Sequence, residues 1–299
     1  MNWLVWRLYR KQIILTGLAV VIYAVLLVVL GNQAWDKFND ALAAKKVASF
    51  NLPPLADTLP KLSLAFPILL GMFWGAPLIA KEYAEGTHKL AWVQGVTRRK
   101  WLIAKLGWIM AFGALYAGII SAAVMWCNRA ENAIRFDRFT AQLFTMQGLA
   151  PVAYTIFAIA LGACVGAFFR SSVRSVAITL AVGSIIIFTV ATHLRPHYMR
   201  PVSAPSASNI YPAINIEKNT IMPGAGAIWV VGTEYKTLSK DCSTIKGNQF
   251  CNSVVQSVKT MYQPANRFWT FQFIEFGLYV VVSAILSLLT YRVIQKRDV

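Results

Sequence analysis

The chain has 299 residues, of which 57% are hydrophobic and 14% charged, and 29 Lys and Arg against 12 Asp and Glu give a net charge of +17. Soluble domains average about 25% charged residues, so this composition excludes an ordinary soluble enzyme, a disordered chain and a coiled coil. It is typical of a polytopic membrane protein. In such a protein Lys and Arg gather at the cytoplasmic face, so the positive charge calls for no nucleic acid partner.

Six apolar stretches are long enough to cross a bilayer as helices, which takes about 20 residues each. Because the apolar runs are continuous and do not alternate, they exclude a transmembrane β-barrel. We therefore predict an all-α polytopic membrane protein with spans at 12–30, 62–80, 102–126, 149–169, 176–192 and 268–291. Lys105, near the start of the third span, is expected to extend its ammonium to the membrane interface.

Residues 1–11 mix Trp, Leu and Tyr with Arg ahead of the first span. Two interpretations are open: an interfacial helix lying flat on the membrane, or aromatic residues that only mark the interface. The apolar run that follows is too long for a cleaved signal peptide, and no small-residue cleavage site ends it. The first span is therefore predicted to be a signal-anchor.

The loop charges predict the orientation of the spans. With the N-terminus inside, 14 of the 29 Lys and Arg fall in the inside segments and 15 in the outside segments. The inside segments cover only about 50 positions against about 130 outside, so the basic residues are denser inside, as the positive-inside rule requires. Both termini are therefore predicted to be cytoplasmic.

The outer segment 195–267 is too long for a structureless connection and is predicted to form a small extracellular subdomain between spans five and six. Cys242 and Cys251 lie in it. Outside the membrane such a pair is expected to form a disulfide. A zinc site is the weaker alternative, because no histidine or third cysteine lies nearby.

The sequence lacks the common motifs of nucleotide-binding and hydrolytic sites. Glycine is never followed by lysine, so there is no Walker A loop, and neither Gly-x-Ser-x-Gly nor His-Glu-x-x-His occurs. The chain contains three histidines, and its acidic residues are scattered. We therefore predict no catalytic residues, no metal site and no enzymatic activity of the chain itself.

The segment 81–101, between the second and third spans, is the densest polar cluster. Gly86 can turn the chain, Thr87 can cap a short helix and Leu90 gives that helix an apolar side. Thr97 can then cap the third span. The alternative is a tight interfacial loop, although a mere connection could be much shorter.

Residues 81–87, Lys-Glu-Tyr-Ala-Glu-Gly-Thr, resemble the basic-acidic-x-x-x-Gly-Thr pattern that follows the second span in permease subunits of ATP-binding-cassette exporters of the second permease type. Residues 90–101 are similar to permeases common in high-GC Gram-positive bacteria. The six-span layout is similar to this family over the whole chain. The 195–267 segment departs from it, since relatives often have shorter re-entrant helices there.

The resemblance implies that segment 81–101 is a coupling helix docking on a separate ATPase subunit, present in two copies, that holds ATP and Mg while this chain carries no cofactor. It implies that residues 1–11 form a connecting helix, and that a second permease copy or a paralogue completes the exporter. The implied cargo is amphipathic or hydrophobic, such as a drug, antibiotic, peptide or lipid, moved outward across a bacterial plasma membrane. The residues implied to contact the ATPase are Glu82, Glu85, Gly86, Thr87, Leu90 and Trp92.

The resulting organisation is a connecting helix at 1–11, spans one to five over 12–194, the extracellular subdomain at 195–267, and span six with a cytoplasmic tail at 268–299. Two Gly-x-x-x-Gly pairs, at 71 and 75 and at 162 and 166, predict close helix approach, either within one subunit or at a dimer seam.

Glu275 is an acid within the sixth span, and such residues are often functional. It can line a substrate path, pair with an arginine such as Arg195 or Arg267, or extend to the interface. It also carries the alternative function, an ion- or proton-coupled secondary transporter. The absence of a visible inverted repeat speaks against that alternative.

Overall fold

The computed structural model of the protein describes residues 2–44, 51–86, 97–134, 141–204, 214–215, 220–221, 227–234 and 259–297. Within these ranges six helical stretches are long and apolar enough to cross a membrane. They coincide with the six predicted spans, whose existence is thereby confirmed. We call them span 1 to span 6, and they cover Trp6–Ala43, Pro54–Glu85, Arg98–Cys127, Ala150–Phe169, Ser172–His197 and Phe268–Lys296.

Span 1 belongs to one uninterrupted helix of 42 residues, Asn2–Ala43. The structure differs here from the predicted separate helix at 1–11, because those described residues continue directly into the span. The stretch contains no proline, and its first glycine is Gly17, so nothing in the sequence breaks the helix at residue 11.

Span 2, in contrast, is divided into short helical pieces. After the helix Pro54–Thr58 come a 3₁₀ stretch Leu59–Ala65, a helical turn Phe66–Leu70, a π-turn Gly71–Gly75 and the helix Ala76–Glu85. Prolines stand in the first turn of four of these pieces, where a missing N–H is tolerated.

Pro77 leaves a carbonyl of span 2 in need of a donor. It cannot donate to the Phe73 carbonyl four residues before it. The Gln12 side chain of span 1 supplies this donor, with its Nε2 atom 3.3 Å from the Phe73 oxygen. A polar residue at the start of the first span therefore compensates for a proline in the second.

Span 4 is the most deeply buried span and packs against spans 2, 3, 5 and 6. Its inward faces are rich in alanine and glycine, which lets the neighbouring helices approach closely. Span 1 packs mainly on span 3.

The two Gly-x-x-x-Gly pairs pack against each other, span 2 on span 4. A Cβ atom added to Gly162 would meet the Gly71 carbonyl oxygen and lie 2.6 Å from the Ala76 nitrogen. A Cβ atom on Gly166 would lie 2.6 Å from the Ala76 oxygen. Of the two interpretations that the sequence left open, packing within one subunit is therefore the one observed.

Two short helices, Arg129–Ile134 and Ala141–Met146, lie between spans 3 and 4. A π-turn, Val190–Leu194, and a 3₁₀ turn, Arg195–His197, end span 5, and the 3₁₀ turn Ala265–Arg267 leads into the helix Phe268–Arg297, which contains span 6.

The described residues are mostly helical, as predicted, but those between spans 5 and 6 also form β-strands. Its described strands are β1 (Val202–Ala204), β2 (Ile214–Asn215), β3 (Thr220–Ile221), β4 (Ala227–Glu234) and β5 (Lys259–Pro264). They form an antiparallel sheet in the order β1-β5-β4 and a separate β2-β3 pair.

Composition explains these strands. Prolines at the start of the segment disfavour helix, and β4 is rich in the β-branched and aromatic residues that strands prefer. Val202 and Val230 flank Tyr262 on the central strand β5. The predicted disulfide partners Cys242 and Cys251 lie outside the described residues.

Candidate functional site

The helix that ends span 2 stops at Gly86, within the segment 81–101. Gly86 has φ +69°, a left-handed conformation that glycine adopts readily and other residues rarely adopt. A Cβ atom at this position would meet nothing within 4 Å, so the backbone angle and not crowding requires glycine. The chain therefore leaves the helix through a sharp turn at the position proposed from the sequence.

Glu82 forms an ion pair with Lys105 of span 3. The side chains are 15% and 5% exposed, and the Lys105 ammonium lies 4.5 Å from the centre of the Trp101 ring. The expectation that Lys105 reaches the membrane interface is therefore wrong, because a carboxylate inside the bundle already satisfies its charge. Sequence reasoning missed this partner, since 23 residues separate the two.

Glu85 and Tyr83 lie on the same turn and differ in their surroundings. Glu85 is exposed and faces Lys81, with 3.9 Å between its Oε1 atom and the lysine Nζ. Tyr83 lies under the guanidinium of Arg170, 4.6 Å from its ring centre. Arg170 ends span 4 in a left-handed conformation, φ +51°.

The other end of the segment is also fixed. Thr97 caps span 3, as predicted, by accepting a hydrogen bond from the Lys100 backbone nitrogen at 3.4 Å. Arg98 donates to the Gln295 carbonyl at 3.2 Å, in the last turn of span 6, where a cation favours the helix dipole. Thr87, Leu90 and Trp92 lie outside the described residues.

Near the opposite ends of the spans, Glu275 is fully buried in an ion pair with Arg195 of span 5. Arg195 Nη2 lies 2.9 Å from Glu275 Oε1 and Arg195 Nε lies 2.9 Å from Oε2, a bidentate geometry. The Tyr154 hydroxyl of span 4 donates to the same carboxylate. The arginine pair is thus the observed environment of Glu275, and its place on a substrate path stays a prediction.

Arg195 also joins the short helix Ala141–Met146 to this cluster. Its guanidinium donates to Thr145 Oγ1 at 3.2 Å and to the Ala141 carbonyl at 3.3 Å, and stacks 4.2 Å from the Phe144 ring centre. Beyond the end of span 5, burial and the neighbouring Glu275 carboxylate raise the pKa of the Tyr198 phenol above its ordinary value.

Gln272, one turn before Glu275, caps the start of span 4. Its Oε1 atom accepts from the backbone nitrogens of Leu149 and Ala150 at 3.0 and 2.7 Å. Its Nε2 atom donates to the carbonyls of Phe144 and Gln147 at 3.3 and 3.0 Å. One side chain of span 6 thereby satisfies four backbone groups, which the sequence did not indicate.

These contacts divide into two groups. One fixes the ends of spans 2, 3, 4 and 6 where the segment 81–101 begins and ends. The other fixes the opposite ends of spans 4, 5 and 6 around a buried ion pair.

Comparison with known families identifies the framework. Residues 17–195 match the family described as ABC-2 membrane transporter related. Among curated proteins and among solved structures, none matches the chain. The match covers more than half of the chain, from span 1 to the end of span 5, and includes the segment 81–101. A permease of this family implies a partnering ATP-binding-cassette ATPase subunit. The chain belongs to the ABC-2 membrane transporter related family, as a multi-pass membrane component of an ABC transporter.

Proposed function

We propose that this protein is the permease subunit of an ATP-driven exporter, and that its segment 81–101 docks on a separate ATPase subunit. The family match supports a permease. The docking proposal rests on the fixed end of span 2. There Glu82 forms an ion pair with Lys105, and Gly86 turns the chain in a left-handed conformation. Because contacts with span 3 fix the end of span 2, a force applied to the segment 81–101 can reach the helices. A loosely attached loop would not transmit it.

The cargo we propose is amphipathic or hydrophobic, moved outward across a bacterial plasma membrane. Spans 5 and 6 expose large apolar side chains, among them Phe188 and Phe273, which are 68% and 62% exposed. Any span that faces lipid presents such side chains, so the cargo class rests on the resemblance of residues 81–101 to exporter permeases and not on this surface. The ATPase, in two copies, would hold ATP and Mg, and a second permease copy or a paralogue would complete the pathway.

The alternative, an ion- or proton-coupled secondary transporter using Glu275, is less well supported. Both carboxylate oxygens of Glu275 accept hydrogen bonds from Arg195, and the Tyr154 hydroxyl adds a third. An ion-coupling carboxylate has to release such partners in each cycle. The bidentate pair therefore argues for a structural role.

The test is co-purification of the ATPase with a Glu82→Gln/Glu85→Gln/Gly86→Val variant, followed by transport in vesicles. We expect the variant to insert into the membrane and to lose either the bound ATPase or substrate-stimulated ATP hydrolysis. The matched control is Asp57→Asn, which removes the exposed pair with Lys61 near the other end of span 2. Normal assembly together with normal transport by the triple variant contradicts the docking role.

A prediction at single-residue level separates backbone conformation from crowding in this segment. Gly86→Ala should destabilise the segment by about 1–2 kcal/mol, because the left-handed backbone conformation is less favourable by that much for a residue with a Cβ atom. Gly107→Ala in span 3, equally open around the Cβ position but without a left-handed φ, should be neutral or stabilising. Hydrogen exchange of residues 82–86 measures the difference, and equal effects of the two changes contradict it.

The segment 195–267 is proposed to lie outside the cell, and Cys242 and Cys251 to be joined by a disulfide there. Cys127 and Cys164 are buried and free. Alkylation of the denatured, unreduced protein should therefore modify two thiols, and four after reduction. The entropic stabilisation of so short a loop should be about 2–3 kcal/mol. Four thiols without reduction contradict both the disulfide and the extracellular placement.

A further inference from the structure

Among the described residues, one turn of the helix Ala76–Glu85 carries two contacts that join the start of the segment 81–101 to other spans. Glu82 pairs with Lys105 of span 3, and the adjacent Tyr83 lies under Arg170 at the end of span 4. Consecutive residues on a helix project about 100° apart. The last turns of span 2 are therefore held from two sides by two different spans.

We propose that Lys105 is a positioning residue that passes displacement of the segment 81–101 to span 3, with Arg170 passing it to span 4. This inference rests on the proposed docking of an ATPase. The pair lies at the base of the segment, and Lys105 itself is only 4% exposed. A movement of Glu82 must therefore carry span 3 with it or break the pair.

The chemistry of the pair favours a positioning role over a purely stabilising one. A buried ion pair gains little over well-packed apolar side chains of the same size, because both charges lose their hydration. What it adds is a specific register between two helices. Removing one partner leaves an uncompensated charge inside the bundle, so the pair resists separation.

The Arg170 contact adds an independent observation. Arg170 stands at φ +51°, a region that non-glycine residues rarely adopt and that persists where the surroundings impose it. Its guanidinium is 4.6 Å from the centre of the Tyr83 ring. Since span 4 packs on spans 2, 3, 5 and 6, this contact links the segment to the centre of the bundle.

The experiment uses the full permease–ATPase complex and hydrogen exchange with and without magnesium ATP and vanadate. The readout is residues 127–134, at the far end of span 3, so no transport substrate is required. In the wild-type complex we expect nucleotide to change exchange there at least threefold. Lys105→Met should retain the ATPase and its basal ATP hydrolysis but abolish this change.

The charge-reversed pair Glu82→Lys/Lys105→Glu should restore at least half of the nucleotide response. A bound ATPase with basal hydrolysis in Lys105→Met separates the positioning role from a loss of folding. If Lys105→Met fails to fold, Lys105→Gln, which keeps a polar group at the same position, serves instead. Lys296→Met, an exposed lysine at the end of span 6 and outside the segment 81–101, is the control and should leave the response intact.

The outcomes separate the two proposals. Loss of the ATPase from the wild-type complex, or no ATPase binding at all, overturns the proposed function. A bound ATPase with a full nucleotide response in both Lys105→Met and Lys105→Gln overturns the positioning role alone. So does a wild-type complex in which nucleotide leaves residues 127–134 unchanged.

Discussion

Replacing Glu275 with leucine should lower the free energy of unfolding by about 3–5 kcal/mol, because the buried Arg195 guanidinium then has no countercharge. Arg195→Met should cost a similar amount for the converse reason. The double variant Glu275→Leu/Arg195→Met should recover most of the loss, since it buries no unpaired charge. Part of the loss should remain, because the Tyr154 and Thr145 hydroxyls would lose their hydrogen-bond partners in the pair.

Unfolding in a denaturing-detergent titration measures these differences. The exposed pair Lys61–Asp57, with 2.8 Å between Nζ and Oδ2, is the control, and Asp57→Asn should cost at most about 1 kcal/mol. A double variant that is as unstable as the sum of the single variants contradicts the prediction. So does a single Glu275→Leu variant with the stability of the parent.

Gly162→Val should be the most damaging change in the packing of spans 2 and 4. The added Cβ atom would meet the Gly71 oxygen, the Ala76 nitrogen and the Gly75 carbonyl carbon, all of them backbone atoms. Backbone cannot rotate away as a side chain can, so the two spans must separate. Overpacking of a core usually lowers the free energy of unfolding by about 1–3 kcal/mol. Because the atoms that clash here belong to the backbone, we expect a loss at or above the upper end of that range.

Thermal unfolding and the yield of monodisperse protein measure this effect. Gly277→Val in span 6 is the matched control, because a Cβ atom there meets nothing within 4 Å. The control should fold with nearly parental stability. If Gly162→Val and Gly277→Val behave alike, spans 2 and 4 are not in the close contact described.

Hydropathy predicted the spans because the requirement to cross about 30 Å of hydrocarbon acts on each helix separately. The Thr97 cap was predictable for the same reason, since a cap depends on neighbouring residues only. The partner of Lys105 was not, because the pairing of Glu82 with it is set by how span 2 packs on span 3. Arg195 was foreseen as one of two arginines for Glu275, and only tertiary structure chose between it and Arg267.

Two local features were also missed, each for a physical reason. The helix Asn2–Ala43 continues through residue 11 because a change from interfacial to apolar composition does not itself break a helix. The individual strands between spans 5 and 6 could not be located from the sequence, because the segment is long and its apolar runs are short. β4 is paired to β5 with two register shifts, which blur the alternation of apolar residues.

The unbroken helix Asn2–Ala43 has a mechanical consequence. At about 1.5 Å per residue its 42 residues measure roughly 63 Å, about twice the thickness of the hydrocarbon core. A straight helix of this length is longer than the hydrocarbon core that its apolar residues can cross. A tilt of about 10° about its midpoint displaces each end by roughly 5 Å, close to one helical turn. Any rotation of span 1 against span 3 would therefore displace the two ends of this helix together, in opposite directions.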